Sequence, residues 1–254
     1  MEKLSVLIPT YNNQAIIGRC LESVSWADEI VIVDSCSSDN TAAICRQYTD
    51  KIYHQPFLGY AQQKNWGIAH CRHNWVLQLD SDEQLEPGLE QEIKQFLAAP
   101  PGDIDACRLP RKNHVLGAWL RVGGIYPDYQ TRLFRKAAGR FQERDVHEHL
   151  RVPGKVITLN HHLLHQGMPN ISKQLANLDR YTRHEANELH KRGKTFRWYY
   201  LLRPPAIFIY RYLWQRGALA GYRGFILAVY LAVYDFLTYA KLWEIEALHL
   251  KESP

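Results

Sequence analysis

The first hundred residues alternate between short apolar runs and segments whose apolar side chains recur every three or four positions. The runs have the length of buried strands, and turn-forming residues separate them from the segments with helical spacing. The predicted strands are Leu4–Ile8, Glu29–Asp34, Lys51–His54 and Trp75–Leu79. The predicted helices are Ala15–Trp26, Thr41–Tyr48, Tyr60–Cys71 and Leu89–Leu97. This alternation predicts an α/β fold with a mostly parallel sheet flanked by helices.

The pattern changes after Pro100. Three further runs predict strands without helices between them, at Ala106–Lys112, Gln130–Arg135 and Lys155–Leu159. From about residue 169 the spacing is helical, and the predicted segments are Ile171–Arg192, Pro204–Gln215 and a long one that ends near Leu250. We therefore predict two domains, an α/β domain over residues 1–168 and a helical, amphipathic C-terminal extension over residues 169–254.

Composition sets broad limits on the class of protein. The chain has 254 residues, of which 46% are hydrophobic and 22% are charged, as in an ordinary globular protein. Its five cysteines are scattered and include no C-x-x-C pair, which argues against a zinc ribbon or a disulfide framework and fits a reducing cytosol. The chain enters directly into a predicted strand, so we expect no signal peptide.

The net charge of +5 is concentrated towards the C-terminus. Eleven lysines and arginines lie between Lys173 and Arg223, against three acids. Such a segment suits nucleic acid, an anionic membrane or an anionic substrate. It contains no recognisable nucleic-acid motif, and its aromatic, apolar character fits lipid headgroups better, so we expect no nucleic-acid partner.

The most apolar stretch is Gly224–Ala240. It is interrupted by Asp235 and falls short of the roughly 20 apolar residues that a spanning helix needs. Together with the basic, aromatic segment before it, this stretch predicts peripheral contact with an anionic membrane. The alternative is a helical subdomain that packs on itself or on a second protomer, which would make the protein a homo-oligomer.

The stretch Trp75–Glu83, WVLQLDSDE, carries candidate chemistry. It ends a predicted buried strand in two carboxylates, Asp80 and Asp82, with Ser81 between them. Acids at the carboxyl edge of an α/β sheet lie where ligands bind. Two carboxylates so close repel each other unless a cation or a proton intervenes, and oxygen ligands suit Mg²⁺ or Mn²⁺, which also bind phosphates. The stretch therefore predicts a divalent metal that holds a diphosphate. The alternative is a surface turn that caps a helix starting near Pro87.

Three other groups of polar residues are predicted at or just after strand ends. They are the turn Pro9–Asn12, Asp34, and Lys64 with Asn65. The carboxyl ends of parallel strands converge on one crevice, so we expect these side chains to lie close to the Asp pair. Asp34 can bond ribose hydroxyls or a base N–H, and Lys64 can neutralise phosphate. Each signal alone is weak, because an Asp at a strand end is often a helix cap, but together they indicate a nucleotide-binding crevice.

These motifs resemble glycosyltransferase family 2, the inverting enzymes with the GT-A fold. The resemblance covers roughly residues 4–100 and rests on SVLIPTYNN, on IVDSCSSDNT with its D-x-x-S-x-D-x-T pattern, on QQKNWGIAH and on WVLQLDSDE. Later segments are similar to the branch that includes the lipopolysaccharide-core β-glucosyltransferases. These segments are Arg132–Arg135, Val146–Glu148 and the hydrophobic tail Ala218–Glu244.

The resemblance implies a role for each matching residue. The residues implied to bind the nucleotide sugar are Pro9, Thr10, Tyr11, Asp34, Lys64, Asp80 and Ser81. The first three would line the base pocket, Asp34 would contact base or ribose, and Lys64 would approach base or phosphate. Asp80 would lie near the ribose and the metal, and Asp82 would ligate Mn²⁺ or Mg²⁺. Asp39 lies in the matching motif, but its local pattern favours a helix cap.

Histidines offer one further metal ligand. Five of the twelve lie close together in sequence, namely His147, His149, His161, His162 and His165. A late histidine completes the metal shell in some GT-A enzymes, and His165 and His147 are the first candidates here. The alternative for each is a loop or strand histidine with a local partner.

Inverting transfer also needs a general base. A carboxylate takes the proton of the acceptor hydroxyl on the face opposite the leaving diphosphate. The family often has Glu-Asp shortly before an Arg-containing strand; Asp128 occupies that place here, although Pro127 replaces the usual Glu. The rivals for this role are Glu148 and, after it, Glu143 or Asp145. The alternative for Asp128 is a turn residue.

We therefore expect an inverting, metal-dependent hexosyltransferase that uses a saccharide acceptor on a lipid or glycolipid, such as lipopolysaccharide core. UDP-glucose as donor follows from the resemblance only. A polyprenyl-phosphate acceptor and a non-catalytic nucleotide-sugar-binding relative are the alternatives. The absence of clear spanning helices argues against the first, and the Asp80/Asp82 pair argues against the second. With either acceptor, we expect the protein to be cytoplasmic and peripheral at the inner face of the cytoplasmic membrane.

Overall fold

The structure is a computed structural model that describes residues 1–142 and 149–252. The chain groups into two compact units. The first consists of Met1–Lys112 and Asp128–Gln166, and the second of Asn113–Pro127 and Gly167–Pro254. The second unit is therefore built from two separate stretches of chain. The domain division predicted after residue 168 placed residues 113–127 in the α/β domain, whereas by contacts they group with the C-terminal helices.

The helices and strands follow the predicted alternation at first and then turn mainly to strands. In chain order they are β1 (Leu4–Thr10), α1 (Ile17–Ser23), β2 (Glu29–Asp34), α2 (Thr41–Cys45), β3 (Ile52–His54), α3 (Tyr60–His70), β4 (Trp75–Gln78), β5 (Glu83–Leu85), α4 (Leu89–Ala98), β6 (Ile104–Val115), β7 (Ala118–Trp119), β8 (Asp128–Arg135), β9 (Arg140–Gln142), β10 (His149–Arg151), β11 (Lys155–Thr158), β12 (Leu163–Met168), α5 (Ile171–Lys191), α6 (Arg203–Ile209) and α7 (Gly221–Glu252).

Within the described residues, ten strands form one sheet, whose main path runs β3-β2-β1-β4-β8-β6-β12-β5. The first four strands of this path are parallel, and β8 joins β4 in antiparallel orientation. The predicted α/β class is confirmed, with a mixed sheet. The strands β1, β2 and β4 are mostly apolar because they are buried on both faces, and in β2 all six residues are buried, whereas β3 at the edge of the sheet is partly exposed.

The structure differs from the sequence-based expectations in two places. The strands β5 and β12 were not predicted; they contain polar residues or glycine, and they pair with each other in antiparallel orientation. Lys64 does not follow a strand end but lies within α3. The prediction of a helical segment over Pro204–Gln215 is confirmed: α6 ends at Ile209 and a π-helical turn follows over Tyr210–Trp214, in which the Gln215 N–H donates to the Tyr210 carbonyl.

A buried carboxylate ties the amino ends of the parallel strands. Glu29, at the start of β2, accepts hydrogen bonds from the Ser5 hydroxyl and the Lys51 ammonium, and from the Arg72 N–H at 2.7 Å. Ser5 Oγ in turn accepts from the His73 N–H at 3.0 Å. Burial raises the pKa of Glu29, but Lys51, Ser5 and the Arg72 N–H together lower it below its usual value. One side chain thus links β1 and β2 to the segments that lead into β3 and β4.

The second unit is helical and has two apolar clusters. The first is formed by Val115, Leu120, Met168 and Leu227, so that it joins residues 113–127 to α7. The second is formed by Ala186, Tyr239 and Leu242, between α5 and α7. Within the part of the chain that the structure describes, Gly217–Leu248 is the one helical segment that is long and apolar enough to cross a membrane by length and composition. Core helices of soluble proteins meet the same criteria of length and composition.

We expect Glu29→Gln to lower the free energy of unfolding by roughly 1–3 kcal/mol at about pH 7, because it removes a buried, hydrogen-bonded charge. The pKa of Glu29 is lowered in the folded state, so the unfolded chain binds more protons and this stabilisation is lost as the pH falls through the folded-state pKa. The gap between wild type and variant should therefore narrow towards about pH 4. Urea unfolding of wild type and variant at about pH 7 and at about pH 4 measures this difference in the free energy of unfolding. The control is Glu22→Gln, at an exposed position of α1; an equal effect of both variants would contradict the role of Glu29.

Candidate active site

The carboxyl edge of the parallel strands brings most of the predicted residues together. Thr10 ends β1 and lies in register with Asp34, which ends β2. Asp80 follows β4, the other neighbour of β1. The Asn13 amide donates to the Ser81 hydroxyl at 2.7 Å, so it joins the turn after β1 to the turn after β4. The turns after β1, β2 and β4 therefore lie next to each other, as expected from the strand order.

Asp80 is held by two cations. Its Oδ1 lies 2.8 Å from the Lys64 ammonium, and its Oδ2 accepts from Arg132 Nη2 at 2.6 Å. Gln78 Nε2 also donates to Oδ1, at 3.1 Å. Burial raises the pKa of Asp80, but Arg132 and Lys64 outweigh it and hold the pKa well below the usual value. Asp80 is thus a fixed anion with both oxygens engaged by the protein.

Arg132 lies at the centre of this network. It is buried, donates from Nη2 to Asp80 and to Glu83 Oε1, both at 2.6 Å, and from Nη1 to Gln78 Oε1 at 2.6 Å. Burial alone lowers the pKa of Arg132, and the charges of Asp80 and Glu83 reverse that effect and raise it. The arginine therefore fixes three acceptors that follow or belong to β4 and β5. Arg132 thus has a structural role as an ion-pair partner.

Asp82 is the more open carboxylate of the pair. It is partly exposed, and its Oδ2 lies 3.5 Å from His165 Nε2 in β12. Two donors bound to one Mn²⁺ or Mg²⁺ at about 2.1 Å lie roughly 3.0–3.5 Å apart, so this pair fits one metal ion. Within the described residues no group of three His, Cys, Asp or Glu side chains forms a metal site. A metal here would take its other ligands from water or a diphosphate, which is how Mg²⁺ commonly binds.

The Cys20 side chain lies next to these acids. Its Sγ lies 3.7 Å from the Asp80 carbonyl oxygen, and the side chain is buried. Burial raises its pKa well above the usual value, and the charges of Glu83, Asp82 and Asp80 raise it further.

Asp128, the predicted base, begins β8 and is held by a second arginine. Arg111 donates from Nε to Asp128 Oδ2 at 2.8 Å, and Gln130 Nε2 donates to Oδ1 at 2.6 Å. Arg111 Nη1 also reaches Glu83 Oε1 at 3.1 Å. Burial lowers the pKa of Arg111, but Glu83 and Asp128 raise it overall.

A continuous series of opposite charges thus connects the predicted base to the Asp pair. It runs Asp128, Arg111, Glu83, Arg132, Asp80, Lys64. We call it the charge chain. The rival bases Glu148, Glu143 and Asp145, and His147, lie outside the described residues.

The predicted base-binding residues differ in how accessible they are. Tyr11 is exposed, whereas Thr10 is buried, and Thr10 Oγ1 has no hydrogen-bond partner among the described residues. Asp34 is also buried; it accepts from the Ser37 N–H at 3.1 Å and hydroxyl at 2.5 Å, and lies 3.0 Å from His54 Nδ1. Its carboxylate therefore organises the turn after β2, in addition to any contact with a ligand.

The remaining sequence candidates have structural partners. Asp39 accepts from the N–H groups of Thr41 and Gln14, and so fixes the start of α2, as its local pattern predicted. His161 and His162 contact Glu92 and Glu86, at 2.9 and 3.1 Å. Pro9 lies within β1, one residue before Thr10.

Sequence reasoning missed the importance of several residues in the network. Arg111 was not singled out, and Glu83 was noted only as an acid beyond the pair. Gln78 carried a usable signal, because it is a polar residue inside an otherwise apolar buried strand, and such a residue needs hydrogen-bond partners. The partners of Arg111 come from distant parts of the chain, so no local pattern marks it.

Comparison with known proteins shows the family to which the chain belongs. The sequence model of the glycosyl transferase family 2 matches residues 5–158. The lipopolysaccharide core biosynthesis glycosyltransferase LpsC of Rhizobium meliloti (strain 1021) is 33% identical over 98% of this chain and 95% of its own length. An uncharacterized glycosyltransferase of Rickettsia felis is 29% identical over 96% of this chain and 90% of its own length. The chain therefore belongs to glycosyl transferase family 2, and it is a glycosyltransferase.

A solved structure supports the fold. The mannosyltransferase PcManGT of Pyrobaculum calidifontis, determined in complex with GDP-Man and Mn²⁺, aligns with a TM-score of 0.57 at 16% identity. The alignment covers 95% of this chain and 87% of that chain. The predicted GT-A fold is thereby confirmed.

We expect Arg132→Met to lower the free energy of unfolding by roughly 3–5 kcal/mol, because it takes the nearest cation from the buried Glu83 and one of two cations from the partly exposed Asp80. Urea unfolding measures the change. The control is Arg108→Met, which removes an exposed arginine of β6 and should cost less than about 1 kcal/mol. If both variants unfold alike, the network does not hold the site together.

Proposed function

We propose that this chain is an inverting, divalent-metal-dependent hexosyltransferase. It transfers a hexose, glucose in the first instance, from a nucleotide-diphosphate sugar to a saccharide on a lipid or glycolipid such as lipopolysaccharide core. The observation that carries the proposal is the division within the Asp pair. Asp80 is held by protein cations, while Asp82 and His165 form a partly exposed pair with the spacing of two metal ligands.

The donor side of the site follows from these contacts. Asp82 and His165 would hold the Mn²⁺ or Mg²⁺, and the ion, when bound, neutralises the charge that builds on the leaving diphosphate. Asp80 and Ser81 border the ribose and diphosphate, and Pro9, Thr10, Tyr11 and Asp34 border the base. Lys64 is buried and paired with Asp80, so its contribution to phosphate binding acts mainly through the position of that carboxylate.

The acceptor side requires a base, and we assign it to Asp128. The acceptor oxygen forms a bond to the anomeric carbon as the bond to the diphosphate breaks, and Asp128 takes the hydroxyl proton. The ion pair with Arg111 favours the charged carboxylate, which a base has to be before the reaction. An ionised carboxylate has about four acceptor positions, so the two protein donors leave room for the acceptor hydroxyl.

The choice of acceptor and location rests on the relatives. A full-length relative is named for lipopolysaccharide core biosynthesis, which takes place on a lipid-anchored saccharide. An acceptor of this kind would put the enzyme at the cytoplasmic face of the membrane. The test is a panel of nucleotide sugars with lipopolysaccharide-core and polyprenyl-phosphate acceptors, scored by product formation. Transfer to polyprenyl phosphate alone would replace the proposed acceptor.

We expect Asp82→Asn to lower turnover roughly a hundredfold or more and to weaken Mn²⁺ binding, because it removes an anionic metal ligand. Calorimetric titration with Mn²⁺ and nucleoside diphosphate reads metal binding without turnover. His165→Ala should weaken the same binding step. The matched control is Asp103→Asn, an exposed aspartate paired with Lys155. Normal turnover and Mn²⁺ affinity in Asp82→Asn would rule out this metal site.

We expect Asp128→Asn to reduce transfer by about 10²–10⁴-fold, the usual contribution of a general base, while nucleotide binding stays unchanged. Single-turnover transfer and donor affinity separate the two effects. Glu148→Gln is the paired variant that tests the rival base. If Glu148→Gln abolishes transfer and Asp128→Asn does not, the base has been assigned to the wrong carboxylate.

A further inference from the structure

The solvent side of α7 has an unusual pattern for a helix at a protein surface. Every exposed side chain between residues 222 and 243 is apolar or aromatic. These side chains follow each other at intervals of three, four or seven residues, along about 30 Å of helix. We call them the apolar stripe, and they are Tyr222, Phe225, Val229, Val233, Phe236 and Trp243.

Several polar side chains of the same helix contact other helices of the second unit. The Tyr234 hydroxyl donates to Glu185 at 2.6 Å, and the Lys241 ammonium donates to Asp179 at 2.8 Å, both on α5. Asp235 accepts from Arg203 at 2.9 Å, at the start of α6. The helix also buries apolar side chains in the two apolar clusters. Between residues 222 and 243 it is therefore apolar on its buried side and on its exposed side, whereas the usual surface helix exposes a polar face.

The neighbouring segments extend this apolar surface. An open groove of about 420 Å³ lies between α6 and α7, and only apolar side chains line it, among them Ile209, Phe208 and Val233. The turns beside it expose Leu213 and Leu219 and two tryptophans, Trp198 and Trp214, of which Trp214 is 80% exposed. Contiguous apolar surfaces of this kind mark interaction sites, and tryptophan is enriched where a protein meets the boundary between lipid and water.

Charge identifies the partner. The second unit has fourteen lysines and arginines against seven acids, whereas the first has seventeen against nineteen. The whole net positive charge therefore lies in the unit that exposes the apolar stripe. Arg197 and Arg216, next to the two exposed tryptophans, are themselves exposed. Apolar insertion combined with attraction by arginines is the chemistry of an anionic bilayer surface.

We propose that the second unit binds in the plane of an anionic phospholipid bilayer, with the apolar stripe and the α6–α7 groove inserted among the lipid chains and with Arg197 and Arg216 at the headgroups. Its use, to bring the enzyme to a membrane-held acceptor, rests on the proposed function. The binding itself does not require that function.

Packing and charge argue against two other arrangements. A spanning α7 would carry α5 into the hydrocarbon, because the two helices are packed together, and α5 exposes Lys173, Arg180 and Arg183. A dimer through the apolar stripe would bring two strongly basic units face to face, which like-charge repulsion opposes. An anionic bilayer provides lipid chains for the apolar stripe and negative headgroups for the basic residues.

Flotation with phospholipid vesicles tests the proposal. The full chain should bind vesicles that contain phosphatidylglycerol at least tenfold more tightly than vesicles of phosphatidylcholine alone, and high salt should remove the difference. Ile209→Gln/Val233→Gln should bind at least tenfold more weakly to both kinds of vesicle. Arg197→Gln/Arg216→Gln should lose only the preference for anionic lipid.

Controls separate failure to bind from failure to fold. Ile209 and Val233 are exposed helical positions, where Gln is a good helix former, and Arg197 and Arg216 are exposed, so the thermal unfolding of both double variants should match wild type. Phe57→Gln, at a 55% exposed position of the first unit, should bind vesicles like wild type. Brominated lipids should quench tryptophan fluorescence in wild type and quench it less in Trp214→Phe. Vesicle binding uses no sugar donor, so its failure leaves the transferase assays unaffected, and the converse holds.

Three results would overturn the proposal. Binding that is unchanged in Ile209→Gln/Val233→Gln would show that the apolar surface does not insert. Absence of vesicle binding, together with a dimer that dissociates in that variant, would assign the apolar stripe to a second copy of the chain. Resistance of vesicle-bound protein to alkaline carbonate extraction would show a spanning helix.

Discussion

The ion pairs of Arg132 are the interaction on which the active site depends. One buried guanidinium serves Gln78, Asp80 and Glu83, and it thereby joins β8 to the ends of β4 and β5. A buried charge is tolerable only with good partners, and the acids could not lie so close together without it. The buried arginine therefore needs its acceptors, and the acceptors need the arginine. A change in any one of them is expected to alter the positions of the others.

This requirement gives neighbouring carboxylates different properties. Asp80 is neutralised by the protein, whereas Asp82, two residues later, is not enclosed in the same way and lies opposite His165. The two carboxylates look equivalent in the sequence, but their different environments give them different charges to interact with. Through Glu83 and Arg111, the charge chain continues to Asp128. Asp128 and Asp80 are thus connected by salt bridges through β6 and β8, and not only by the backbone.

The sequence predicted what depends on local pattern and missed what depends on distant pairing. The bounds of β2 and the position of the Asp pair followed from apolar periodicity, which a buried parallel strand imposes directly. β5 and β12 could not be found in this way, because three residues of β5 are stabilised only by a partner strand nearly eighty residues away. Arg111 was missed for the same reason, since its acceptors are Glu83 and Asp128. Asp80 and Asp128 were identified from motif position, but the arginines that pair with them, Arg132 and Arg111, were not given that role.

The discontinuous second unit has a consequence for synthesis of the protein. Val115 and Leu120 leave the ribosome long before Leu227, against which they pack. Until the last helix is made, that part of the chain lacks its apolar partner, whereas the parallel strands β1 to β4 already have theirs. Until α7 is made, the nascent chain thus carries an apolar surface without its partner, a state prone to aggregation. The helix that completes this apolar cluster is also the helix that exposes the apolar stripe, so formation of the cluster and of the surface that we propose to bind lipid coincide.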